Sequence, residues 1–198
     1  GSLGIGTTTG PSTNLHVKGD TLIEGGILGL RDKHADDAKS HNIKWIDLVV
    51  CNLYPFSDTI SREDCDLALA LENVDIGGPT MIRSAAKNVG WVCVVVCPDD
   101  YTSLSSELLS GSISFETRQR LSAKAFGHTA QYDTIIYNYF KDEDLSDTFS
   151  LTFEKHSEMR YGENPHQQAA AYKTPGDFSN NILNAKIHQG KQLSYNNI

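Results

Sequence analysis

Apolar residues along this chain keep distinct rhythms, and each rhythm predicts a different element. Trp45–Leu53 (WIDLVVCNL) and Trp91–Pro98 (WVCVVVCP) are unbroken apolar runs, stopped by Pro55 and Pro98. Such runs predict parallel strands buried on both faces and neighbouring one another in one sheet. Steps of three and four follow: Leu121, Ala125, His128, Tyr132, Ile135 and Tyr139 mark the core face of a long helix, capped by Ser114 with Glu116 in its first turn. His128 on that face reads first as a core histidine. Shorter helices are predicted over Asp64–Leu71 and over Asp99–Leu109, the latter closed by Ser110-Gly111, and a further one opens behind Gly77, Gly78 and Pro79. The mixed charges of Arg31–His41 predict a solvated helix, in which His34 and His41 read as surface histidines and not as metal ligands. Strand, helices and strand in this order predict an α/β fold built on a doubly wound parallel sheet.

Periodicity stops at Lys141–Asp147 (KDEDLSD), which predicts a linker over 141–150 between a first domain at 25–140 and a second that begins within 151–198. In that last stretch, LTFEKHSEMRYGENPHQQAAAYK predicts two short strands about a turn at Gly162–Pro165, and HQGKQLSYNNI follows another loop. Residues 1–24 differ from everything after them. They are rich in Gly, Thr and Ser around the short alternating run Leu15–Val17, and are similar in composition to a tail-fibre or adhesin repeat.

Composition narrows the class. Hydrophobic residues at 39% and charged residues at 21% are those of an ordinary globular protein. A formal net charge of −8 argues against a nucleic-acid surface, so anionic ligands would rely on a few local cations and backbone amides. Cys51, Cys65, Cys93 and Cys97 form no CxxC pair and predict reduced, buried thiols in a cytoplasmic protein. No apolar run approaches the ~18 residues of a membrane span.

Glu72–Asn88 (ENVDIGGPTMIRSAAKN) is where chemistry concentrates. Gly77 and Gly78 let the backbone turn sharply or lie against a ligand, and Asp75 stands just before a helix N-terminus whose free N–H groups favour anions. Arg83 and Lys87 lie one turn apart on the helix and read either as a site or as a solvated basic face. Asn52 and Tyr54 fall beyond the C-terminal end of the first strand, where an open α/β sheet binds its ligands. The alternative is that Asn52 satisfies the turn and Tyr54 packs.

These residues, with others in the same order, carry a resemblance. Glu72–Asn88 resembles the IDIGGPTMIRSAAKN motif of the bifunctional purine-biosynthesis family that joins an aminoimidazole carboxamide ribotide (AICAR) formyltransferase to an inosine monophosphate (IMP) cyclohydrolase. GGILG at Gly25–Gly29, IDLVVCNLYPF at Ile46–Phe56, KAFGHTAQYD at Lys124–Asp133, RYGENPHQ at Arg160–Gln167 and the final GKQLSYNNI are collinear with it. The resemblance implies a partial methylglyoxal-synthase-like domain followed by the start of a cytidine-deaminase-like α/β domain. It implies ring closure of formyl-AICAR to IMP with no metal or redox cofactor, Lys87 and Tyr54 polarising the substrate and handling protons, and Asp75 aligning the carboxamide. Asn52 and the Gly77-Gly78 backbone would hold the base. For the second activity it implies 10-formyltetrahydrofolate as co-substrate, with Arg160, Tyr161 and Asn197 contacting AICAR. A homodimer is the expected assembly of the family.

The family also carries a GRVKTLHP-type motif ahead of GGILG, and its catalytic Lys-His pair lies beyond the blocks found here. Nothing like the first stands in Gly1–Glu24. The resemblance therefore implies a fragment with little cyclohydrolase activity that does not complete formyl transfer. Two other readings use the same residues: a structural, adhesin-like fusion carrying an inactive enzyme segment, and a nucleotide-binding regulatory module.

Overall fold

The two apolar runs meet as expected. In the computed structural model, which describes residues 25–142, 145–175, 181–186 and 188–195, β1 (Leu48–Val50) and β2 (Cys93–Val95) pair in parallel, with Leu48 opposite Cys93 and Val50 opposite Val95. Gly1–Glu24 and Asn197 lie outside the described residues.

The elements run in order α1 (Ala35–Ser40), β1, α2 (Phe56–Ile60), α3 (Leu67–Glu72), α4 (Gly77–Lys87), β2, a 3-10 turn Pro98–Asp100, α5 (Tyr101–Leu109), α6 (Phe115–Phe140), β3 (Glu154–Met159) and β4 (Ala169–Lys173). The chain divides into two compact units, Gly1–Asp133 and Thr134–Ile198, the division falling within α6.

In the first unit, alternation along β2 sends side chains to two cores. Val92, Val94 and Val96 pack with Ile27, Val49, Ile82, Ala85 and Ala86, against α4. Cys93 and Val95 pack the other way, with Leu104 of α5 and Leu121 of α6. Helices on both faces of a parallel pair make this unit α/β. Among the described residues its sheet has these two strands.

Of these two strands, β2 is buried on both faces and β1 is not. Val49 is buried, but Leu48 is half-buried and Val50 is 49% exposed. The helices on that face cover β2 and reach Leu48 without covering Val50, which corrects the expectation for the first apolar run.

Local signals explain most of the helices. Asp66 caps α3 by accepting the Leu69 N–H at 2.8 Å, and Ser114 caps α6 by accepting that of Thr117 at 3.1 Å. Leu121, Ala125 and Tyr132 are buried on α6 as the period predicts, while His128, Ile135 and Tyr139 are half-buried. The helix α2, directly after Pro55, has no counterpart in the sequence reading.

The GGILG block proves to be packing. Its helical turn puts Ile27 in the core, and a Cβ on Gly26 or Gly29 would stand 2.4 Å from the Lys44 carbonyl oxygen or the Trp45 ring. Asn88, after α4, donates its side-chain amide to the Ile27 and Gly29 carbonyls at 2.6 and 3.2 Å, tying this turn to the end of the helix. Arg31, read as part of a solvated face, instead pairs with Asp47 at 2.8 Å, its guanidinium 5.8 and 5.7 Å from the ring centroids of Trp45 and Trp91.

The second unit is organised on an antiparallel hairpin, β3 with β4, irregular between Lys155 and Ser157. The turn predicted at Gly162–Pro165 lies between its strands and is closed by the Gly162 N–H on the Gln167 carbonyl at 2.8 Å.

Candidate functional site

The C-terminal end of β1 and the loop ahead of α4 share a carboxylate. Asp75 precedes the helix by two residues, and its Oδ1 accepts the Gly78 N–H at 2.8 Å, satisfying one of the free donors of the first turn. Its Oδ2 is 3.4 Å from the Tyr54 N–H, in the turn that leaves β1. The glycine beneath is required by contact: a Cβ on Gly78 would stand 2.5 Å from Oδ2 and 2.6 Å from Leu53 Cδ2. Gly77 is different, because a Cβ there would meet nothing within 4 Å among the described residues. Its exposed backbone is open to a ligand.

Tyr132 of α6 reaches the same loop. Its phenol oxygen accepts the Asp75 N–H at 2.8 Å and donates to the Asn73 carbonyl at 3.3 Å. Its ring is buried edge-on against Phe56, centroids 6.3 Å apart. Burial pushes the Tyr132 phenol above its ordinary pKa, and the Asp75 charge adds to that. Burial also raises the Cys51 thiol, again helped by Asp75, so Cys51 shares this corner.

A second charged cluster sits beyond the C-terminal end of β2. Asp100, largely buried, accepts from Arg120 Nη1 at 3.2 Å and Lys124 Nζ at 2.5 Å. Burial opposes its ionisation, but the two cations together outweigh that and hold the carboxyl below its usual range. One turn on, burial and then the Lys124 charge lower the pKa of His128, whose buried Nε2 has no hydrogen-bond partner among the described residues. In β2, burial pushes the Cys93 thiol up to about 11. Cys51, Cys65, Cys93 and Cys97 are free thiols.

Of the residues expected in the first site, the structure joins Tyr54, Asp75 and Gly78 directly. Asn52 and Tyr54 are exposed just past β1, and Gly77 is exposed at the helix start. Lys87 is exposed in the last turn of α4, roughly 15 Å along the axis from Gly77 at 1.5 Å per residue. Tyr132 was legible only as a core position. The signal that it does more is chemical: a buried tyrosine needs a partner for its hydroxyl.

In the second unit, Arg160 and Tyr161 lie where the hairpin meets a later segment. The Arg160 N–H donates to the Leu193 carbonyl at 2.8 Å, and the Tyr195 N–H to that of Tyr161 at 3.2 Å. The Arg160 guanidinium stands 4.8 Å from the Tyr161 ring centroid and donates to its hydroxyl at 3.0 Å. Hydrogen bonds from Ser194 and then Arg160 hold the Tyr161 phenol below its ordinary pKa. RYGENPHQ and QLSY, far apart in sequence, thus form one structure.

Known proteins share this chain's sequence and part of its fold. It is 50% identical over 182 residues to the bifunctional purine biosynthesis protein PurH of Listeria monocytogenes serotype 4b (strain CLIP80459), covering 89% of this chain and 36% of that protein. It is 46% identical over 205 residues to PurH of Bacillus cereus (strain B4264), covering 99% of this chain, and so reaching into residues 1–24, and 40% of the relative. The chain therefore spans well under half the length of these relatives. A crystal structure of ForH superposes with a TM-score of 0.55 and 32% identity, over 61% of this chain and 63% of that one. The model of the AICARFT/IMPCHase bienzyme family matches residues 85–198, more than half of the sequence, and the chain belongs to that family.

Proposed function

We propose that the first unit carries the ring-closing site of this bienzyme, converting formyl-AICAR to IMP, and that the second carries part of the AICAR site of the formyltransferase. The observation that carries the reading is the Asp75 carboxylate, fixed by the Gly78 N–H and by the turn containing Tyr54, beside the open backbone of Gly77. Ring closure joins the carboxamide nitrogen to the formyl carbon and then expels water. It requires a held conformation, an acceptor that orients the carboxamide N–H, and groups that move protons. Asp75 suits the first two needs, and the exposed Tyr54 phenol and Lys87 ammonium suit the third. Asn52 and the Gly77 backbone suit the base.

In the second unit, the Arg160 guanidinium suits a phosphate and the Tyr161 ring a flat heterocycle, with 10-formyltetrahydrofolate as the formyl donor of the complete enzyme. The domains of this reading are a methylglyoxal-synthase-like unit over 25–140, a linker at 141–150 and the start of a cytidine-deaminase-like domain from 151, in a cytoplasmic homodimer.

The test is IMP formation from formyl-AICAR, followed by absorbance, for the chain and for Asp75→Asn and Lys87→Ala. Turnover above the uncatalysed rate that falls in both variants is expected. Turnover unchanged in Asp75→Asn would remove the proposed site, and unchanged turnover in Lys87→Ala would remove that residue alone.

A further inference from the structure

We infer that Tyr132 is the positioning residue for Asp75, holding the carboxylate in register with the turn that bears Tyr54. The inference rests on the ring-closing site proposed above. Its basis is that one side chain braces both segments of that site. The Tyr132 hydroxyl accepts from the Asp75 N–H and donates to the Asn73 carbonyl, so it grips the loop on both sides of Val74. Its ring rests edge-on against Phe56, two residues after Tyr54. Tyr132 is 7% exposed and Phe56 1% exposed, so both rings are enclosed by protein.

The chemistry fits bracing and not catalysis. The phenol's proton is committed to Asn73 and a lone pair to Asp75, and burial keeps the group protonated, so it remains both donor and acceptor at neutral pH. Without the hydroxyl, the peptide groups flanking Val74 lose their partner and the loop is free to turn. A carboxylate displaced by about 1 Å loses its alignment with a substrate, an error that can lower rate or affinity on the order of tenfold to a hundredfold.

The experiment compares the full chain with Tyr132→Phe, Asp75→Asn and the double variant. Tyr132→Phe keeps the ring and its packing and deletes one oxygen. Amide hydrogen exchange by NMR is expected to speed up about tenfold or more at Asp75 and Gly78 while Cys93–Val95 keep their protection. Titration with IMP is expected to show weaker binding in Tyr132→Phe, with no further loss when it is added to Asp75→Asn.

Unchanged exchange at Asp75 overturns the inference. So does loss of protection shared with Cys93–Val95, which would assign Tyr132 to general packing, and so do additive losses of IMP affinity. If the parent chain takes up no IMP at millimolar concentration, the proposed function fails, while the exchange measurement still decides whether Tyr132 holds Asp75.

Discussion

Gly77 and Gly78 are neighbours of the same kind, yet they stand in different surroundings, and an alanine at each tests that difference. A methyl on Gly78 would stand 2.5 Å from Asp75 Oδ2, 2.9 Å from Asp75 Cγ and 2.6 Å from Leu53 Cδ2. The leucine methyl can rotate away. The carboxylate cannot move without lengthening its 2.8 Å bond from the Gly78 N–H. A hydrogen bond to a charged group contributes about 1.5–3 kcal/mol, and alanine returns up to about 1 kcal/mol of helix propensity. Gly78→Ala should therefore destabilise the first unit by about 1–2 kcal/mol, lowering its melting temperature by about 3–8 °C. Gly77→Ala meets nothing within 4 Å among the described residues and should melt with the parent or slightly above it. The assay is thermal unfolding followed by circular dichroism. Equal melting of the two variants would refute the argument, because contact with the carboxylate is the only difference it invokes.

Asn88→Ala removes the amide that serves the Ile27 and Gly29 carbonyls, so it should destabilise the fold by about 2–3 kcal/mol, read as a lower denaturant midpoint at an unchanged slope. His128→Gln should flatten the pH dependence of stability below about pH 6.5. Burial and Lys124 depress the folded-state pKa of His128, so on acidification the unfolded chain takes up the proton first and the fold loses stability until the folded pKa is reached. An unchanged slope of stability against pH in the variant would show that His128 does not titrate differently in the two states.

Where the sequence was legible, one dominant force decided the outcome. The paired strands and the core face of α6 were readable because burial alone fixes them, through an unbroken apolar run in one case and a period of three and four in the other. The limits came where a neighbour decided. Nothing in LVV distinguishes a strand covered on both faces from one that leaves Val50 half in water, because the difference lies in how far α5 and α6 extend over the sheet. Arg31 looked solvated because its partners, Asp47, Trp45 and Trp91, come from the entrances to two different strands. The glycine pair marked the site, but not which glycine is held by contact, since that needs the Asp75 oxygens in place. Tyr132 lies 57 residues from Asp75, and no local pattern links them.

The two oxygens of Asp75 have different tasks, and this bears on how a site can also be a structural joint. Oδ1 takes the Gly78 N–H at 2.8 Å, a full hydrogen bond that anchors the helix start. Among the described residues Oδ2 has only the Tyr54 N–H at 3.4 Å, a long contact that leaves most of its accepting capacity free, on the side where Tyr54 is exposed. An acceptor fixed by one oxygen and free at the other is oriented before a substrate arrives, so little reorganisation is needed to receive a carboxamide N–H. Asp75→Asn can keep a carbonyl at the anchoring position while placing an amide NH2, a donor, where Oδ2 accepts. The variant should thus lose ring closure while losing little stability, whereas Asp75→Ala should lose both. If Asp75→Asn instead unfolds as readily as Asp75→Ala, the charge itself is what holds the helix start, and the separation of tasks between the two oxygens fails.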